Sequence, residues 1–388
     1  MTTYSYKHIF IYGFAIFSMF FGSGNLVFPL QVGMEAGSYW FLGFLGLFLT
    51  GIILPFLGLF VIKLHKGNYT DFFQEGGVAA RLLLPLFTLS LLGAFGVVPR
   101  CITVAHGGIA SVFPNLSLVT FSILFSIACF VICLKDQIMI AILGKWMTPI
   151  LLIALVLLIG WGAFHVSDFP LDAHINAQPE TVFTHGFLKG YQTMDLFAAF
   201  FFSSLIFKEI QREMHVDTPT KTIIRAALKP SVFGAFLLSC IYLGFVFLSA
   251  RYRPITQGVS PELILPTIAS YVLGDHAALF IGIIMIFSCM TTAVALNNIY
   301  ARYWCDLLKV KNKNAFHVIL FLTTSISFLI SLLDFQGIAG FLEPALKLSY
   351  PSVIALTVMS IFIKDRMMLK KIIFYGTLCV TLILTFWR

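Results

Sequence analysis

The chain has 388 residues, 59% of them hydrophobic and only 11% charged, against about a quarter charged in a soluble domain. Roughly eleven bilayer crossings of about 20 to 22 apolar residues each would use nearly all of that apolar content. The short loops left over exclude a nucleotide-binding, nucleic-acid-binding or extracellular catalytic module, so the formal charge of +8 reads as membrane topology and contact with an anionic lipid leaflet rather than as a nucleic-acid footprint.

Apolar runs bounded by charged or turn residues predict helices at 8–34, 39–64, 79–112, 116–134, 138–165, 186–207, 229–250, 276–303, 316–333, 337–363 and 371–387. From a cytoplasmic N-terminus, most basic residues fall in the inner loops: Lys7, then Lys63, Lys66 and Arg81, then Lys135 and Lys145, then the stretch from Lys208 to Lys229, then Arg302 to Lys313, then Lys364 to Lys371. The outer side carries little besides Arg251, Arg253, Arg388 and Lys189, while Arg100 and Lys347 fall within helices. That bias places the N-terminus inside and, with eleven crossings, the C-terminus outside. The outer connections 166–185 and 251–275 are long enough to act as lids, and the second has a short apolar piece suited to an interfacial helix. The inner stretch 208–228 should begin as a continuation of the sixth helix and turn at Thr218–Pro219.

Eleven helices divide as five, five and one within a single polytopic domain, 1–388. Five is odd, so a first repeat over 8–165 and a second over 186–363 would have opposite orientations, with 371–387 as an additional helix. Transporters built this way carry their sites where corresponding helices of each half are broken.

The first helix contains Gly22-Ser23-Gly24-Asn25 and Pro29 near its middle. Two glycines cost about 1 kcal/mol each in a helix interior, and Pro29 donates no backbone hydrogen bond. A Gly-x-Gly pair also serves as a close-packing face between membrane helices, but with Asn25 and Pro29 added the balance favours an unwound segment. Pro29 then suits the first turn of a new half-helix. Its exposed N–H groups and positive dipole end form an anion site, while carbonyls of the preceding half face a cation.

The third helix holds Pro99-Arg100 and His106. Arg100 would snorkel or pair with a carboxylate, and His106 fits a hydrogen-bonded interior residue better than a proton shuttle. In the sixth helix, Gly190-Tyr191-Gln192-Thr193-Met194-Asp195 carries the one aspartate deep in an apolar stretch. It should face the interior and meet an ammonium, a sodium ion or a proton; a protonated Asp195 shared between helices is the structural alternative. The eighth helix offers Ser288, Thr291 and Thr292, hydroxyls suited to a hard cation, though such side chains often bond back to their own helix. Glu343, Pro344, Lys347 and Pro351 predict a discontinuous tenth helix with an i,i+4 ion pair.

The seven cysteines, Cys101, Cys129, Cys133, Cys240, Cys289, Cys305 and Cys379, have neither disulfide nor metal spacing and read as core residues. The first apolar segment is too long for a signal peptide and lacks a small-residue cleavage site.

Phe21-Gly22-Ser23-Gly24-Asn25-Leu26-Val27-Phe28-Pro29, Val98-Pro99-Arg100, Gly190 to Asp195 and Met290-Thr291-Thr292-Ala293 together resemble the bacterial branched-chain amino acid:cation symporter family, the BrnQ type. The resemblance implies an all-α integral membrane protein of the leucine-transporter fold, located in the bacterial inner membrane. Its partners would be leucine, isoleucine or valine, with methionine as a further candidate, together with sodium and membrane lipid, and it would need no cofactor beyond the coupling Na+. It further implies that Gly22, Ser23 and Gly24 hold the substrate carboxylate, and that Asn25, Tyr191, Thr193, Met194 and Asp195 complete the substrate site. One sodium would sit at Asn25 and Thr193, a second between the carbonyls of Ser18 and Phe21 and the residues Ser288, Thr291 and Thr292. The chain departs from the family pattern at Leu196 and Phe197, where Ala-Leu is usual, which bears on pocket volume. Proton coupling through Asp195 or His106 is the runner-up. An intramembrane aspartyl protease would need a second facing aspartate, and a transporter-like sensor would ordinarily carry a signalling domain.

Overall fold

The computed structural model describes residues 6–110, 112–134, 147–165, 178–214, 218–363 and 366–386, and among these the regular structure is entirely helical. The first span is two helices, α1 (Tyr6–Phe20) and α2 (Ser23–Ala36). A short turn leads to α3 (Trp40–Phe48), which runs through a wide turn at Leu49–Ile53 into α4 (Leu54–Leu64). There follow α5 (Tyr69–Gln74), α6 (Val78–Leu92), α7 (Val97–Ala110), α8 (Leu118–Cys133) and α9 (Met147–Phe164). Another broken span comprises α10 (Pro179–Thr193) and α11 (Asp195–Glu213), followed by α12 (Thr220–Arg251). The connection after it folds as α13 (Arg253–Thr256) and α14 (Ile264–Leu273), so the short apolar piece there is helical. The chain ends with α15 (Asp275–Leu307), α16 (Lys313–Ser331), α17 (Asp334–Phe362) and α18 (Met367–Phe386).

By length and apolarity alone, seven stretches of the described residues can cross a membrane, and α1, α8 and α9 are shorter apolar helices. The start of the expected fifth helix, 138–146, lies outside the described residues, as do Lys135, Lys145 and the loop segment 166–177.

Four local expectations need correction. The span expected unbroken over 79–112 is interrupted between α6 and α7, at Gly93–Gly96. A Cβ on Gly93 would stand 2.6 Å from the Tyr300 ring, and one on Gly96 2.2 Å from the Leu91 carbonyl, so only glycine fits at either point. Conversely, the expected discontinuous tenth helix is one continuous helix of 29 residues containing Pro344 and Pro351. Prolines inside a membrane helix are tolerated where neighbouring groups can take up the freed carbonyls. Pro29 lies in the interior of α2 rather than its first turn, which removes the ladder donor from the Asn25 carbonyl. Lys63, expected in an inner loop, is fully buried in α4 and donates to Ser231 Oγ at 2.7 Å. The wide turn before α4 was also unforeseen; Leu54 N–H reaches back to the Leu49 carbonyl, a spacing that accommodates the donor-less Pro55.

Helices meet through glycine where backbones must touch. A Cβ on Gly186 of α10 would lie 2.1 Å from the Gly43 carbonyl of α3, and one on Gly282 of α15 2.1 Å from the Gly108 carbonyl of α7. Five cysteines are buried, while Cys240 and Cys379 are exposed rather than in the core. Glu343 and Lys347 form the anticipated pair at 2.5 Å on the surface of α17.

At the end expected to face the cytoplasm, Glu75 gathers Lys370 Nζ at 2.7 Å, His65 Nε2 at 3.2 Å and the Ser360 hydroxyl. This ties the loop after α4 to α17 and α18. His65 Nδ1 faces the Val61 carbonyl at 2.8 Å, so both ring nitrogens must donate and the imidazole is charged. Burial opposes ionisation of Glu75, yet the hydrogen bonds from His65, Lys370 and Ser360 outweigh it and bring its pKa down to about 2. Burial likewise lowers that of His65, but bonding to Glu75 and Val61 raises it on balance. The raised His65 contribution is complete below the ordinary value of 6.5 and is lost as pH rises through the folded value. The depressed Glu75 contribution is present above 4.5 and fades toward about 2. Detergent-purified protein should therefore melt at progressively lower temperature as pH is raised from about 6 to 9. His65→Gln should remove that part of the slope, and an unchanged slope in the variant would show that the cluster does not titrate as a unit.

Candidate functional site

The broken first and sixth spans meet each other. At the first, the Phe21 N–H still bonds the Phe17 carbonyl (2.8 Å), but Gly22 N–H turns to Phe20 (2.7 Å) and α2 then begins. Gly22 is extended, with φ −115° and ψ −152°, and Asn25 Oδ1 accepts from its N–H at 3.3 Å. At the second, Met194 adopts the left-handed conformation, φ 60° and ψ 17°, unusual for a long side chain. It ends α10 and starts α11 in one residue. Gly24 packs so close to that end that a Cβ on it would lie 3.1 Å from Thr193 Cα.

Asp195 opens α11, 4% exposed. Its Oδ2 accepts from Asn25 Nδ2 at 2.7 Å and from the Tyr242 hydroxyl at 3.3 Å, while Asn25 Nδ2 also lies 2.5 Å from Tyr242 Oη. The Thr193 hydroxyl donates to the Gly190 carbonyl (2.9 Å) and accepts from Asp195 N–H (3.3 Å). The carboxylate is thus held by neutral donors from α2 and α12, a setting that favours a cation or a proton at its remaining lone pairs.

A small cavity lies against these groups, lined by Gly22, Ser23, Gly24, Asn25, Thr193, Asp195 and Thr292 with apolar side chains such as Phe20, Val97 and Phe202. Its free space is about 10 Å³, room for one water-sized occupant, so an amino acid enters only when the surrounding helices part. Ser23 Oγ and Thr292 Oγ1 are buried without a hydrogen-bond partner. Two expected lining residues stand back from it. Met194 is fully buried at the break, and Tyr191 packs its ring against Tyr350, tilted by 31° with ring centroids 4.6 Å apart. Tyr350 also meets Phe197 at 4.5 Å, so one ring of α17 spans both halves of the sixth span.

Ser18, Phe21, Ser288 and Thr291 come together around a second, larger cavity of about 320 Å³ that runs between α1, α9 and α15. Ser288 Oγ donates to the Phe21 carbonyl at 2.5 Å, and Thr291 Oγ1 to the Ser288 carbonyl at 2.7 Å. Thr292 does not join them; it faces Gly22, where an added Cβ would sit 2.8 Å from its hydroxyl. The oxygen-only donor set of carbonyls and hydroxyls fits a hard monovalent cation. Among the described residues no group of three His, Cys, Asp or Glu is placed to hold a metal ion.

Two participants, Tyr242 and Thr148, had gone unread in the sequence, and a third, Arg100, sits otherwise than expected. Tyr242, in mid-α12, is a phenol in an otherwise apolar run, and its burial against Asp195 is a long-range event. Thr148 lines the larger cavity with its hydroxyl buried and unpartnered. Arg100 is fully buried, donates Nη1 to the Gln192 carbonyl at 2.7 Å and lies over the Phe28 ring at 5.4 Å. It neither snorkels nor pairs with a carboxylate. His106 bonds the Leu116 carbonyl at 2.8 Å, as an interior histidine would.

Residues 5–388 match a family model described as branched-chain amino acid transport protein. A branched-chain amino acid permease, BrnQ, of Corynebacterium glutamicum is 28% identical over 92% of this chain and 81% of its own length. A Staphylococcus epidermidis protein described as a branched-chain amino acid carrier is 29% identical over 94% of this chain and 84% of its own. Among solved structures, the inward-facing conformation of Mhp1 superposes with a TM-score of 0.64 at 12% identity, covering 96% of this chain and 89% of that one. The substrate-bound, outward-open state of a Na+-coupled sialic acid symporter superposes with a TM-score of 0.60 at 13% identity, covering 96% and 88%. The architecture is therefore the leucine-transporter fold.

Proposed function

Since the chain belongs to the branched-chain amino acid transport protein family, we propose that it imports leucine, isoleucine or valine by sodium symport with alternating access. A member of this family is a multi-pass membrane transporter and not an enzyme. The observation that carries the finer reading is the meeting of the two broken spans at Asp195. There a buried carboxylate, hydrogen-bonded by Asn25 and Tyr242, borders a cavity against the α2 N-terminus. An ammonium group fits the first and a carboxylate the positive environment on the other side.

Sodium coupling is supported by the oxygen donors of Ser18, Phe21, Ser288 and Thr291, which join α1 to α15. A cation there would stabilise one arrangement of the two helices, which lets its gradient drive the other step. In this reading the five-helix repeats rock about the paired breaks, the N-terminus faces the cytoplasm and the protein resides in a bacterial inner membrane. Asn25 already serves Asp195 and Gly22, so a sodium at Asn25 and Thr193 would share these ligands.

Purified protein in liposomes should accumulate labelled leucine, isoleucine or valine when an inward sodium gradient is imposed, and unlabelled competitors should rank the three. No gradient-dependent uptake of any amino acid would reject the proposal. Proton coupling is the second reading, favoured by the purely neutral donors on Asp195; it predicts uptake driven by a pH gradient in the absence of sodium.

A further inference from the structure

The Arg100 guanidinium is fully buried, yet only Nη1 has an acceptor, the Gln192 carbonyl at the end of α10. Nε and Nη2 are buried with no hydrogen-bond partner. These two nitrogens are the pair whose N–H bonds run parallel along one side of the guanidinium, the fork that matches the two oxygens of a carboxylate. Two ionic donors left unpaired in an apolar interior cost several kcal/mol unless an anion completes them.

Among the described residues, no carboxylate completes the fork. Asp195 lies within electrostatic reach, but its Oδ2 is engaged by Asn25 and Tyr242 and neither of its oxygens bonds Nε or Nη2. Glu262 packs against Gly107, seven residues and about 10 Å further along α7. Glu343 is paired with Lys347 at the surface. Arg100 lies one helical turn beyond Val97, a wall of the small cavity, and its Nη1 holds the guanidinium at the end of α10, at the break that carries Asp195. A zwitterion is the ligand with charges to match both ends, an ammonium for Asp195 and a carboxylate for Arg100.

The geometry points to Arg100 as the residue that takes the carboxylate of the transported amino acid, a specificity-determining contact that rests on the transport reading above. The same guanidinium caps α10 through Gln192, so the charge that receives the substrate is fixed to one of the two half-helices at the break. The N-terminus of α2 adds to this contact through Ser23 and Gly24, because the Gly22 N–H already serves Phe20 and Asn25.

The test compares leucine with leucine amide, which keeps the ammonium and side chain but lacks the carboxylate. Binding to the purified full-length protein is measured for the wild type, Arg100→Gln and Arg100→Lys, with melting curves to establish folding. The wild type should prefer leucine by about 100-fold. Arg100→Gln should lose leucine affinity by about that factor and leave the amide unchanged, so that the preference collapses. Arg100→Lys, which keeps the charge without the fork, should fall between them and keeps the test open where Gln prevents folding. Equal losses for leucine and amide would assign Arg100 a purely structural role and overturn the inference. So would an undiminished preference in either variant. A wild type indifferent to the carboxylate but stabilised by chloride over gluconate would show that the fork holds a free anion instead. A wild type that binds no amino acid at all overturns the transport reading, and this inference with it.

Discussion

Asp195→Asn is expected to lower substrate affinity and sodium-driven uptake by about two orders of magnitude or more while leaving the fold intact. The estimate follows from the environment of the group. The carboxylate is 4% exposed and held by Asn25 and Tyr242, so an ammonium that reached it would be screened by little water. Removing one partner of such a pair costs about 3 kcal/mol or more, which is roughly 10²-fold or more in affinity. Asparagine has the same shape and keeps an oxygen for Tyr242, so the melting temperature should stay within a few degrees. The measurement is labelled-leucine binding and uptake into proteoliposomes at fixed sodium. Uptake that survives with unchanged half-saturation but no longer responds to pH would mean that Asp195 carries a proton rather than the substrate, and would move the reading to proton coupling.

Gly186→Leu should prevent accumulation of folded protein, and Gly186→Ala should destabilise it by about 1–3 kcal/mol. A first side-chain atom on Gly186 would lie 2.1 Å from the Gly43 carbonyl, and the same face repeats the problem at Gly190, where it would lie 1.9 Å from Thr50 Oγ1. The clashing atoms include backbone, so no rotamer relieves them and α10 must lift off α3. That shift would also displace Thr193 and Met194, which end the half-helix. Gly376→Ala supplies the contrast: nothing lies within 4 Å of the added atom, so the substitution should be neutral or stabilise α18 by up to about 1 kcal/mol. Yield of monodisperse protein in detergent and its melting curve separate the three; a well-folded Gly186→Leu would mean that the α3–α10 contact is looser than its geometry.

The breaks of the first and sixth spans were legible because their causes are local. Glycine, asparagine and proline at Gly22–Pro29 are poor helix formers wherever they stand, and Asp195 has few places to go in hydrocarbon. The same local logic misled at α17, where Pro344 and Pro351 suggested an interruption that the continuous helix does not have. It fell silent at Gly93–Gly96, whose glycines matter only because Tyr300 and the Leu91 carbonyl approach them. Tyr242 belongs to the same class, and Arg100, expected to snorkel or pair with a carboxylate, joins it through its actual partner. Each is informative only through a partner far away in the chain, Asp195 for one and the Gln192 carbonyl for the other. A sequence reveals where a helix is weak more readily than what will press on it.

Tyr350 lies over Tyr191 before the break and Phe197 after it. Any bending at Met194 must therefore slide or part at least one of these tilted ring pairs, at a cost of about 0.5–1.5 kcal/mol each. The joint acts as a detent: it resists small excursions, then yields once the ring slips, so the elbow rests in a few discrete angles instead of swinging freely.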